Sequence, residues 1–354
     1  MYCLKSSILL SLLFTVVSCY ARQVSPSPAE ATATDPVAER MLLYQRSNGG
    51  WPQDDGDDVE YRKELTDDER SVVLSDKSED DTTFDDESTT REIKYLLKAH
   101  RETGKPAYLA AATRGLDFIL TAQFDNGGFP QEYPDTSDYH GHITYNDNVM
   151  IDLLTLLRSV AAGEAEYAAV PAAQRERAAR AVEKGISNIL NTQYVHEGQL
   201  TAWGAQHDRT TLAPAPARTF EPASLSGKES VEIVRYLMDI PHPDEAVQRS
   251  VRAAVAWLDE VRIDGYRQDR IEAPDQPTGR DRIIVPDSSS TIWGRFYELG
   301  TWRPIFIGRD GVIKYRLQDI ENERRTGYGF YGHWAKDLIK KEFPAWEERI
   351  AEKN

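Results

Sequence analysis

A phrase used three times sets the tightest limit on how this chain can fold. Residues 45–53 read QRSNGGWPQ. Residues 116–131, LDFILTAQFDNGGFPQ, repeat a Leu/Ile-rich helix end, a glutamine and then Gly-Gly-aromatic-Pro-Gln, and residues 186–206, ISNILNTQYVHEGQLTAWGAQ, carry a degenerate third copy. The glutamines Gln45, Gln123 and Gln193 are separated by 78 and 70 residues. Self-similarity at such a period marks one supersecondary unit used repeatedly. Between the copies, Ile93, Leu96, Leu97 and His100 follow helical spacing, as do Ile151, Leu154, Leu157 and Val160. The pattern predicts helix pairs over 89–103 with 106–123, 146–162 with 171–193, and 224–239 with 244–262. Short connections such as ETGKPAY and DIPHPDE make each pair an antiparallel hairpin. Three such hairpins in a ring predict an all-α fold, an (α/α)3 toroid with long loops gathered at one end and a few short strands. Past residue 262 the helical signal fades. Residues 263–317 are expected to form long loops with short strands, one of them near 312–316, before a last helix over 332–352.

The ends of the chain read differently. Residues 1–19 have the pattern of an export signal: Lys5 precedes an apolar run over 8–17 that is short for a membrane span. The run ends in Val-Val-Ser-Cys19, which resembles a bacterial lipobox, so acylation of Cys19 and anchoring in the envelope are expected; cleavage near Ala21 to give a periplasmic or secreted form is the alternative. Residues 20–36, small, polar and Pro-rich, read as a flexible tether, and 37–354 as one domain without a further boundary. Cys3 and Cys19 are the only cysteines, so the mature domain holds no internal disulfide. The net charge of −16 argues against nucleic acid, whose phosphates require a basic face. Much of that charge is local, since residues 54–87 contain 16 acidic and 4 basic side chains. Most of that stretch reads as a solvated acidic surface.

The polar residues with chemical potential stand at helix starts. Asp85 and Asp86 precede the first helix pair, Asp147 lies in an Asn-Asp-Asn triplet opening the second, and Arg218 in PARTFE precedes the third. In a toroid these positions converge on one mouth. Singly, each Asp is equally an N-cap, contributing about 1 kcal/mol. Hard oxygen donors from two helix starts together also suit calcium. His140 and His142 are weak metal candidates and read as groove donors or packing residues. Rings beside the Gly-Gly loops, Trp51 among them, either stack on sugars or cap the core. Arg295 and Arg309 are either surface ion-pair partners or the planar cations that an anionic ligand requires.

The phrases MLLYQRSNGGWPQ, TTFDDESTTREIKYL, AQFDNGGFPQEYP, HITYNDNVM, WGAQHD, PARTFEPASLSG, GRFYELGTWRPIFIGRDGV and RRTGYGFYG, in this order over about 38–340, resemble those of polysaccharide lyase family ten, the pectate lyases. The resemblance implies calcium-dependent anti-β-elimination of polygalacturonate to 4,5-unsaturated oligogalacturonides. It implies Arg218 as catalytic base, and Asp85 and Asp147, with Asp86, as calcium ligands. Arg295 and Arg309 are then the arginines for substrate carboxylates, and Asn146, His207, Asp208 and Tyr297 further substrate contacts. The expected partners are polygalacturonate or its oligosaccharides, met by a monomer. Two departures stand out. Asp86-Glu87-Ser88 replaces the family's usual Asn-Gly-Ala, losing a glycine suited to positive φ, and Gly141 replaces an arginine between the two histidines. Rival readings are a two-carboxylate glycoside hydrolase and a surface lipoprotein that binds pectic oligosaccharide without cleaving it. A terpene-cyclase-type toroid is a weaker third, lacking the Asp-rich cyclase motif.

Overall fold

The computed structural model describes residues 34–352; the signal, the lipobox and residues 20–33 of the tether lie outside the described residues. The chain runs through α1 (Pro36–Tyr44), α2 (Asp67–Ser75), α3 (Thr90–Thr103), α4 (Pro106–Ala122), α5 (Val149–Ala162), α6 (Ala172–Thr192), α7 (Glu229–Met238), α8 (Glu245–Glu260), α9 (Asn322–Gly327) and α10 (Phe343–Ala351). The tether ends at Asp35, whose carboxylate caps α1 by accepting from the Val37 and Ala38 amides and also takes the Tyr95 hydroxyl.

The three expected hairpins are α3/α4, α5/α6 and α7/α8, each slightly shorter than its apolar pattern. They form the (α/α)3 toroid. Helix α7 buries eight of its ten residues, and α5 buries eight of fourteen, as inner helices must. Helices α4, α6 and α8 keep a solvated face. Each fully buried Leu, Ile or Val on the inner helices contributes about 1.5–3 kcal/mol. Gly104 (φ 71°) and Gly163 (φ 64°) stop α3 and α5 in the left-handed conformation that glycine adopts freely.

The repeated phrase has a mechanical meaning. Gln45 Nε2 donates to the Gly49 and Ala111 carbonyls at 2.8 and 2.9 Å, Gln123 Nε2 to Gly127 and Ala181 at 3.0 and 2.9 Å, and Gln193 Nε2 to Thr201 and Ser250 at 2.9 and 3.0 Å. Each amide thus closes its own loop and fastens it to the next outer helix. The rings in these loops are core: Trp51, Phe129 and Trp203 are fully buried, and the Trp51 and Trp203 indoles donate to the Met41 and Ile189 carbonyls. The sugar-stacking reading of Trp51 is therefore corrected.

A fourth copy went unread. Trp293-Gly294 repeats Trp203-Gly204, and the Trp293 indole donates to the Leu258 carbonyl at 2.7 Å. It is disguised by a two-stranded hairpin, Ile263–Glu272 paired antiparallel with Arg280–Gly294, which intervenes between α8 and this copy. Most of that hairpin is solvated on both faces, so its sequence lacks the apolar alternation that betrays a strand, and it was expected as loop. The short strand Ile313–Lys314 does occur. The last helix is shorter than 332–352: a wide turn at Leu338–Glu342 leads into α10.

Candidate active site

Three loops approach the inner helices from one end. The Thr83, Thr144 and Ser226 amides donate to the Trp51, Phe129 and Trp203 carbonyls at 3.1, 3.0 and 2.7 Å, so the loops before α3, α5 and α7 start in equivalent places. Each also bonds the following Gly-aromatic loop: the Phe84 amide donates to Gln131, the Tyr145 and Asn146 amides to Ala205, and the Gly227 amide to Arg295. This interlocking brings side chains far apart in sequence together.

In the first two loops the chain makes the same turn. Asp86 (φ 45°, ψ 46°) and Asp147 (φ 45°, ψ 32°) are both left-handed. Glu87 also stands at φ 63°, so the glycine-favouring conformation survives without the glycine. The turns bring a ligand oxygen from each of Asp85, Asp86 and Asp147 within 4.8 Å of one another. Asp85 Oδ1 is buried without a hydrogen-bond partner. Burial, followed by the Asp86 and Asp147 charges, pushes the Asp85 carboxyl up to about 6. Burial and Asp147 also raise Asp86. Asp147 differs: burial opposes its ionisation, yet Lys228, 2.8 Å from Oδ1, and Arg295 hold it below the usual carboxylate range. A buried orphan oxygen within a crowd of like charges fits a hard dication. Asp85, Asp86 and Asp147 are the residues that would hold it.

Around the trio lie cations and one aromatic wall. Arg295, 7% exposed, donates through Nη2 to Asn146 Oδ1 (3.0 Å) and Glu229 Oε1 (2.9 Å), and the same nitrogen is 3.6 Å from Asp147 Oδ1. Asn146 also donates to Asp147 Oδ2 at 2.5 Å. The Arg295 guanidinium is 4.6 Å from the Tyr328 ring centre, and the Tyr328 hydroxyl donates to Glu221 Oε1 at 3.3 Å. Glu221 in turn accepts from Arg218 Nε (2.8 Å) and Nη2 (2.7 Å). Arg218 is thus linked to the trio through Glu221, Tyr328 and Arg295. It does not stand at the start of α7, where the sequence reading put it; Lys228 does. The Glu221 bond raises the pKa of Arg218 and so favours its charged form.

Phe220 gathers three guanidinium groups, Arg324 at 3.9 Å, Arg309 at 4.9 Å and Arg218 at 5.1 Å from its centre. Arg309 is exposed and pairs with Glu323 at 2.9 Å. Arg324 was missed by sequence reasoning, although its RRTG phrase was noticed. It is 6% exposed, and its Nε and Nη2 are buried without hydrogen-bond partners. Burial lowers its pKa. A buried cation with unpartnered nitrogens is costly; the Phe220 and Tyr328 rings, each 3.9 Å away, and the Tyr328 and Glu221 charges partly offset that cost, and the open nitrogens make Arg324 a candidate anion contact.

Several expected substrate contacts are scaffold in this structure. His207 is fully buried; its Nε2 accepts from the Gly204 amide at 2.9 Å and its Nδ1 faces the Leu212 carbonyl at 2.9 Å. Tyr297 is its counterpart in the fourth copy, fully buried, accepting from the Gly294 amide and donating to the Val261 carbonyl. With both polar ends committed to main chain, neither is free for a sugar. Asp208 accepts from the Thr210 and Thr211 amides at 2.9 and 2.7 Å and so shapes its own loop. His140 pairs with Asp138 at 2.8 Å, and His142 is half-buried, away from the trio. Gly141 packs so closely on the Thr136 carbonyl that a Cβ would overlap it.

With this geometry in hand, comparison with known proteins is direct. A family model described as pectic acid lyase matches residues 45–339. A family 10 polysaccharide lyase from Cellvibrio cellulosa is 31% identical, with a TM-score of 0.75 over 89% of this chain and 93% of that one. An aspartate-to-alanine mutant of family 10 polysaccharide lyase from the same organism, in complex with trigalacturonic acid, is 31% identical, with a TM-score of 0.76 over 89% and 94%. No curated protein matches.

Proposed function

The chain belongs to the pectic acid lyase family and is a polysaccharide lyase, and from that premise we propose that it cleaves polygalacturonate by calcium-dependent anti-β-elimination, releasing 4,5-unsaturated oligogalacturonides. The observation that carries the finer reading is the orphan oxygen of Asp85 inside the Asp85–Asp86–Asp147 cluster, with the Arg295 guanidinium 3.6 Å from Asp147. A relative's complex with trigalacturonic acid supports the same substrate class.

Bound by the three aspartates, calcium would neutralise a uronate carboxylate and so acidify the proton on C5. The remaining roles belong to the chain. Arg295, fixed by Asn146 and Glu229, presents positive charge beside Asp147, where the carboxylate gains electron density. Arg324 and Arg309 receive carboxylates of the chain on the Phe220 side. Arg218 in its neutral form takes the C5 proton on a guanidine nitrogen, the C–H electrons form the C4–C5 double bond, and the C4–O bond breaks with its electron pair leaving on the glycosidic oxygen, which takes a proton from water. For this Arg218 must exchange its Glu221 partner for substrate, and Arg309 and Arg324 nearby then oppose its charge.

The test is polygalacturonate with the soluble domain, followed by ultraviolet absorbance of the unsaturated product. Absorbance should grow with alkaline pH, vanish with chelator and be absent in Arg218→Ala. New reducing ends without absorbance would indicate hydrolysis, and binding without either product a non-catalytic receptor. We also propose export with acylation at Cys19, from sequence alone; Cys19→Ala should move the protein from membrane to soluble fraction.

A further inference from the structure

The third loop departs from the other two at the position that matters most. Thr83 to Thr89 and Ser226 to Ser230 span equivalent anchors: Thr89 Oγ1 and Ser230 Oγ accept the Trp51 and Trp203 amides at 3.0 and 3.1 Å. The third loop is two residues shorter between them. Counted from the first anchor, Lys228 stands in register with Asp85 and Asn146, and Glu229 with Asp86 and Asp147. The Lys228 ammonium reaches across to Asp147 Oδ1 at 2.8 Å and lies 3.5 Å from Glu229 Oε1. The side chain is 28% exposed, and its two short carboxylate contacts place the ammonium at the edge of the trio.

We propose that Lys228 is a resident cation of the carboxylate trio, one that competes with the metal for Asp147 and thereby sets a weaker calcium affinity than the three aspartates alone would give. The inference rests on the trio being the calcium site. A carboxylate oxygen that already accepts from an ammonium is a poorer donor to a dication than a free one. The ammonium's charge also opposes a second cation nearby, whether or not the bond is broken. The arrangement has a structural purpose as well: without metal, three crowded carboxylates repel one another, and Lys228 screens the pair formed by Asp86 and Asp147. Asp86, the extra carboxylate of the Asp-Glu-Ser departure, and Lys228 thus balance one another across the site.

The experiment is calorimetric titration of chelator-stripped protein with calcium chloride at pH 8, for wild type, Lys228→Met and Lys228→Arg. Lys228→Met keeps the stem and removes the charge; its Kd should fall about three- to tenfold, the effect of removing a partly exposed ion pair. Lys228→Arg, which keeps the charge, should stay within about twofold of wild type. In chelator, Lys228→Met should melt below wild type, and calcium should raise its melting temperature by more than it raises that of wild type. If Lys228→Met fails to fold, Lys228→Gln replaces it in the same titration. A Kd equal to or weaker than wild type in the neutral variants overturns the inference, as does equal tightening by Lys228→Arg. Wild-type protein that takes up no calcium would defeat the calcium reading itself, and this inference with it, before any variant is compared.

Discussion

Replacing Asp85 by asparagine should make the metal-free protein more stable at pH 8 while removing its response to calcium. The size follows from the site. Burial and the two neighbouring aspartates raise the Asp85 carboxyl from its ordinary 3.8 to about 6. The folded state therefore binds more protons than the unfolded chain between those values, and stability falls as pH rises through them. At pH 8 the ionised carboxylate costs the folded state about 3 kcal/mol, and below pH 3.8 nothing. Asparagine keeps the shape and removes the charge. Urea unfolding in chelator should place Asp85→Asn above wild type by 1 to about 3 kcal/mol at pH 8, the difference closing on acidification to pH 3.5. Calcium at about 100 times its Kd should then raise wild type by about 2.7 kcal/mol and leave the variant unmoved, closing or reversing the gap. A stability difference independent of pH, or a less stable Asp85→Asn at pH 8 in chelator, would refute the electrostatic account of the trio.

Three further outcomes follow from other parts of the structure. Burial holds the His207 imidazole down at about 4, so its contribution is intact above the ordinary 6.5 and lost as pH falls towards 4; wild type should shed about 3 kcal/mol over that window in urea titrations, and His207→Gln should lack this component. Arg324→Met should leave the fold as stable or more so, since it removes an unpaired buried cation, and should raise KM for polygalacturonate about ten- to a hundredfold while changing kcat far less. Gly127→Ala should destabilise by about 2 kcal/mol or more in thermal melts, because Gly127 stands at φ 91° and a Cβ there would overlap the Lys184 carbonyl of α6.

What the sequence made legible was local. Helical spacing and the Gln–Gly–aromatic phrase located all three hairpins, because each is set by residues within one or two turns of one another. Asp85, Asp86 and Asp147 were legible because they stand just before helices, and the structure brings their carboxylates together. Lys228, Tyr328 and Arg324 were not found, since Lys228 meets Asp147 81 residues away, Tyr328 meets Glu221 107 residues away, and Arg324 stacks on the distant Phe220 ring. His207 and Tyr297 were mistaken for substrate contacts for a related reason. They belong to recurrent phrases, and recurrence there reflects a buried bond to a loop amide rather than contact with sugar. The hairpin from Ile263 to Gly294 was hidden because a strand solvated on both faces leaves no alternation to read.

The three glutamine amides also bear on how the molecule comes apart. In an open stack of repeats each unit touches only its neighbours, so ends fray and units melt in sequence. Here Gln45 joins α1 to α4, Gln123 joins α4 to α6, and Gln193 joins α6 to α8, each through a side chain buried to within 4% or less for the first and last. No outer helix can leave without exposing an amide that belongs to the one before it. Cooperativity is therefore written into the repeat itself: the same residue that closes each loop makes the loss of any one hairpin a loss for its predecessor.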